Sequence, residues 1–110
     1  MPIGPGSLTG KQKLAYCRVV AEADVFKALA DHTRRVILDE LTERDGQTLF
    51  EICARLANKH QLASTRQAIS QHLDVLERAG LVTTRRDGRY KFHFLDTTPL
   101  DQIADRWRRR

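Results

Sequence analysis

Two stretches of the chain carry side chains whose types and spacing suit a phosphate-rich, hydrogen-bonding surface. The first is Ser64, Thr65, Arg66, Gln67, Ser70 and Gln71, followed by Asp74. At helical spacing Arg66, Gln67, Ser70, Gln71 and Asp74 lie opposite an apolar stripe of Ile69, Leu73 and Leu76. A helix face that meets only solvent usually carries Glu/Lys pairs four residues apart. Here the leading half of the face offers hydroxyls, amides and a guanidinium. Such groups bond base edges or phosphates, and Gln and Arg suit bidentate contacts to adenine and guanine. The second stretch is Arg85, Arg86, Arg89 and Lys91, four cations within seven residues and offset only by Asp87. Charge on a hairpin also serves to block sheet-to-sheet association. Four like charges at a narrow tip nevertheless repel one another, and a phosphate backbone relieves that repulsion.

The elements that position these residues follow from periodicity and caps. Leu14, Val19, Val25, Phe26 and Leu29 predict a helix over about Lys11 to Ala30. Asp31 is placed to cap a second helix with the stripe Val36, Ile37, Leu38 and Leu41, stopped by Gly46. Thr48 and Glu51 have capping-box spacing and open a third helix carrying Ile52, Cys53, Leu56 and Ala57. Asn58 to Ala63 reads as a connection. Ser64 with Gln67 repeats the box and starts a fourth helix running to about Ala79, with Gly80 as its left-handed stop. The period then changes to two. Leu81 to Arg86 and Arg89 to Leu95 read as strands joined at Asp87-Gly88, a primed turn with both residues at positive φ. Tyr90, Phe92 and Phe94 share one face of the second strand, and Arg89, Lys91 and His93 the other. Thr98 as N-cap, Pro99 and Asp101 announce a last helix with the stripe Leu100, Ile103, Ala104 and Trp107. The expected fold class is mainly α with a small β-hairpin, four helices, hairpin, helix: a winged helix-turn-helix.

Composition bounds the rest. The chain has 110 residues and a net charge of +5, with 41% hydrophobic and 30% charged residues. That predicts one soluble domain over 11–110, preceded by a disordered tail over 1–10. No apolar run approaches a membrane span, and the first ten residues lack the pattern of a signal peptide, so the expected location is cytoplasmic. There is no glycine-rich phosphate loop, paired-carboxylate arrangement or nucleophile motif, which argues against an enzyme. Cys17 and Cys53 stand far apart in sequence. They read as buried inert thiols, with a redox pair as the alternative.

The runs FKALADHTRRVIL (Phe26 to Leu38) and SQHLDVLERAGLV (Ser70 to Val82), continued by Arg85-Arg86-Asp87-Gly88-Arg89, resemble the signature blocks of the ArsR family. The resemblance covers about residues 25 to 107. It implies a homodimeric repressor on a pseudo-palindromic operator of double-stranded DNA. Ser64, Thr65, Arg66, Gln67, Ser70 and Gln71 would then lie at the DNA surface of the fourth helix, with Arg89 on the wing. Arg85, Arg86 and Lys91 join that expected surface through the charge argument. The resemblance also implies a dimer interface of first and last helices, and the candidate residues there are Leu14, Val25, Leu100, Ile103 and Trp107. Docking of the last helix on the protein's own core is the alternative use of its stripe.

Two departures from the family pattern stand out: His32 replaces a proline, and the 58–63 connection is long enough for Lys59 and His60 to reach DNA themselves. Metal-sensing relatives bind metal through paired cysteines on the third helix or through Asp and His on the last. Here the third helix has Cys53 alone, and the last has Asp101 and Asp105 but no histidine. His32, His60, His72 and His93 are scattered. No transition metal and no other cofactor is expected. A winged-helix module that binds protein instead of DNA is the competing reading.

Overall fold

The computed structural model describes residues 22–109. The expected tail at 1–10, and the readings placed on Leu14, Cys17 and Val19, lie outside them. A helix occupies residues 22–29 (α1). It is followed by α2 (His32–Glu43), α3 (Leu49–Lys59), α4 (Arg66–Arg78), β1 (Val82–Asp87), β2 (Tyr90–Leu95) and α5 (Thr98–Arg106). This is the expected order of helices and hairpin.

One core joins them. Val25 and Ala28 of α1, Ile37 and Leu41 of α2, Ile52 and Leu56 of α3, and Ile69, Leu73 and Leu76 of α4 are all buried together with Leu81 and Val82. Helices α1 to α4 each send in buried residues from one face, and burial of those faces drives their association, while Leu100 and Ile103 of α5 are only partly buried against the core. The caps fix where each helix begins. Asp31 accepts the Arg34 amide at 3.0 Å, so His32 occupies the first helical position without disturbing the cap. Thr48 and Glu51 form the full reciprocal box. Arg34 and Arg35 satisfy the last carbonyls of α1: the Arg34 Nε donates to Ala28 at 2.8 Å and the Arg35 Nη1 to Leu29 at 2.7 Å.

Several boundaries differ from expectation by a residue or more. The α4 cap is Thr65, not Ser64, because its hydroxyl accepts the Ala68 amide at 3.0 Å. Ser64 is left in the connection, whose Gln61 takes a positive φ of 55°. Helix α2 ends at Glu43, before Gly46. The glycine serves packing instead: at φ +70° its α-carbon lies so near the Phe94 ring that a Cβ would sit 2.9 Å from it. Asp87 pairs with Tyr90, so the hairpin turn is Gly88-Arg89 rather than Asp87-Gly88. Only Gly88, at φ +62°, is left-handed there, the pattern of a II′ turn and not a I′ turn. Helix α5 begins at Thr98, after Thr97, and the Asp96 carboxylate accepts the Thr98 amide at 2.9 Å.

Beyond the predicted hairpin, Gln47 forms an antiparallel bridge with His93. Their backbones exchange two hydrogen bonds, of 3.1 and 2.8 Å, and the His93 Nδ1–H donates to the Gln47 carbonyl at 2.9 Å. The α2–α3 connection thereby anchors the wing. The buried face of β2 is that of His93 and not that of Tyr90, Phe92 and Phe94.

Candidate nucleic-acid interface

Helix α4 presents Arg66, Gln67, Gln71 and Asp74 to solvent, with Ser70 half-buried beside them and Ile69, Leu73 and Leu76 turned into the core. Ser64 and Thr65 are exposed just before its first turn. Its C-terminus is closed by a Schellman motif, in which the Leu81 amide donates to Leu76 and the Gly80 amide to Glu77, both at 3.0 Å. That stop delivers the chain directly into β1. The wing base is then tied back to α4, where Glu77 accepts from Thr84 at 3.3 Å and pairs with Lys91 at 3.7 Å.

The four wing cations divide between two faces. Cross-strand partners share a face, so Arg86 and Lys91 stand together, while Arg85 lies opposite Phe92 on the aromatic face. Arg85 also stacks over the Phe94 ring, 5.6 Å from its centroid. Arg86, Arg89 and Lys91 instead border a groove of about 720 Å³ whose other wall is α4, through Arg66, Ser70 and Asp74. Predicted residues of the fourth helix and of the wing therefore line one concavity. Exposed Phe50 and Tyr90 line it too.

The support beneath this surface is polar and was not foreseen. Glu40 of α2 is fully buried. Its carboxylate accepts from Arg55 Nε at 2.6 Å, lies 2.9 Å from the His60 Nε2, and pairs with Lys59 at 3.2 Å. Burial by itself raises a carboxyl pKa, but these three donors outweigh it and hold Glu40 at about 2. Lys59 also bonds Glu43. Lys59 and His60 thus pair with α2 and fasten the connection that precedes α4. His72 plays a comparable part on α4, accepting from the Arg34 guanidinium at 3.2 Å. The sequence signal for Glu40 was its place on the apolar side of α2, three residues after Ile37.

The candidate dimer residues separate by burial. Val25 is 1% exposed within the protomer's own core. Leu100 and Ile103 pack partly against that core, whereas Trp107 stays 65% exposed. Arg106 joins Glu22 at 2.9 Å and so connects α5 to α1, where Phe26 is also exposed. Burial pushes the half-buried Cys53 thiol up, with Arg66 pulling the other way. Among the described residues no three His, Cys, Asp or Glu side chains come together to hold a metal ion, and no helix is long and apolar enough to cross a membrane.

Residues 29–85 match the model of a helix-turn-helix domain family. The chain is 52% identical to the HTH-type transcriptional regulator YuzN of Bacillus subtilis, over 76% of this chain and 90% of that protein. It is 35% identical to the transcriptional repressor SdpR of the same organism, over 70% and 78% of the two chains. Among solved structures, the ArsR-like transcriptional regulator from Rhodococcus sp. RHA1 superposes with a TM-score of 0.65 at 35% identity, covering 80% of this chain and 76% of that one. With a capped recognition helix, a basic wing and these relatives, the chain belongs to the ArsR-like winged helix-turn-helix family of DNA-binding transcriptional regulators, which are not enzymes.

Proposed function

We propose that this regulator is a homodimeric repressor that reads a pseudo-palindromic operator in the cytoplasm, with α4 in the major groove and the wing on the adjoining backbone. The observation that carries this reading is the grouping of Arg66 and Ser70 of α4 with Arg86, Arg89 and Lys91 around one groove. Gln67 and Gln71 supply uncharged, bidentate groups for base edges. Arg66 and the wing cations supply phosphate contacts that set register and affinity. Dimerisation through α1 and α5 places two α4 helices on successive turns of one DNA face, roughly 34 Å apart. Exposed Phe26 and Trp107, on helices linked by the Arg106–Glu22 pair, support that surface. The lone Cys53 of α3 and the absence of histidine from α5 support a regulator that works without a transition metal.

The test is selection from a random duplex pool with purified protein, with and without reducing agent and added zinc. The expected result is enrichment of one inverted repeat with half-sites about one helical turn apart, unchanged by zinc. A pool that shows no enrichment while the protein still captures a protein partner would favour the protein-binding module instead.

A further inference from the structure

The groove between α4 and the wing has features that duplex DNA does not require. Its volume of about 720 Å³ lies in the range of small-molecule pockets. Phe50 in the leading turn of α3 and Tyr90 of the wing are among its lining residues, at 70% and 62% exposure. Aromatic faces at one groove offer stacking surface to a planar ligand. The charges have one dominant sign. Arg66, Arg86 and Arg89 form no ion pair among the described residues, Lys91 is paired with Glu77, and Glu51 is engaged by the Thr48 cap and Arg44. Asp74 is the remaining carboxylate of the lining, so three unpaired guanidiniums face one acid.

We propose that this groove binds a small planar aromatic anion, its ring between Phe50 and Tyr90 and its carboxylate or sulfonate held by the Arg66, Arg86 and Arg89 guanidiniums. Such a ligand occupies cations that the DNA-binding reading assigns to phosphate. On that reading, ligand and operator exclude each other. The groove would then be an effector site placed directly on the DNA-binding surface, requiring no signal to pass through the core.

The probe is 8-anilinonaphthalene-1-sulfonate, titrated by fluorescence into the full chain, with uncharged N-phenyl-1-naphthylamine as the comparison. One saturable site per chain is expected, with the uncharged compound bound about tenfold more weakly. Phe50→Gln, an exposed position outside the proposed DNA contacts, should weaken the sulfonate about tenfold and leave duplex binding within about twofold of the parent. Duplex should displace the probe from the parent chain. A sulfonate titration of Phe50→Gln that overlays the parent, or equal binding of the uncharged compound, would overturn the proposal. Loss of duplex binding in Phe50→Gln would overturn it as well, because Phe50 would then be a DNA contact and not a ring kept for the ligand. If the parent binds no duplex at all, the DNA reading fails while the two probe titrations still decide whether the groove takes an aromatic anion.

Discussion

Glu40 shows what a single residue contributes to this surface. A carboxylate with no exposure is tolerated because three donors on α3 and its C-cap converge on it. Those donors join α2 to the connection that leads into α4. Glu40→Gln removes the charge and leaves Arg55, Lys59 and His60 without their common partner. It should cost about 3 kcal/mol in urea unfolding at neutral pH. The pH dependence has a definite sign. The folded pKa of about 2 lies below the ordinary 4.5, so the stabilisation is complete above 4.5 and is lost as pH falls toward 2. The parent and Glu40→Gln unfolding curves should therefore converge on acidification, and a constant gap between them would contradict this role. The exposed face of α4 was legible from the sequence because helical period alone assigns it. Glu40 was not, because periodicity marks a position as buried without showing which distant donors make that burial tolerable.

Elements were legible in kind, and their ends less so. The switch from a period of 3.6 to a period of 2 separates α4 from β1, and the reciprocal Thr48–Glu51 box marks α3 where it was expected. Ser64 against Thr65, and Asp87-Gly88 against Gly88-Arg89, differ by one residue. In each case adjacent residues have similar capping or turn chemistry, and only the realised hydrogen bonds or strand register choose between them. That register matters for the site, since it places Arg86 and Lys91 toward α4 and Arg85 away from it. The Gln47–His93 bridge was missed because one residue pair leaves no periodic trace. Burial lowers the pKa of His93 and outweighs the hydrogen bond to the Gln47 carbonyl, which favours the protonated ring. The neutral ring is thus the folded form, and stability falls as pH drops below the ordinary 6.5. Amide exchange at Gln47 and His93, corrected for intrinsic rate, should quicken between pH 7 and about pH 5.5 as the wing loosens. Protection that stays constant over that range would show that His93 does not report on the anchor.

At the scale of the whole molecule, the winged-helix architecture followed from the element order, while the division of apolar residues between core and partner did not. Helical period identifies a stripe but cannot say whether one's own core or a second chain covers it. Leu100 and Ile103 pack against the core, and Trp107 does not. Trp107→Ser should therefore shift the chain toward monomer in sedimentation at about 10 μM with little change in unfolding midpoint. Ile103→Ser should lower the midpoint itself. A Trp107→Ser chain that sediments as the parent does would place the interface elsewhere. That α4 reads bases while the wing holds phosphate can be checked by titrating Gln71→Ala and Arg89→Ala against the selected operator and a scrambled duplex over a range of salt. Gln71→Ala should lose about 1–3 kcal/mol of discrimination between the two duplexes. Arg89→Ala should weaken binding to both alike and reduce the salt slope by about 1. If both variants bind the two duplexes as the parent does, with an unchanged slope, neither surface contacts DNA.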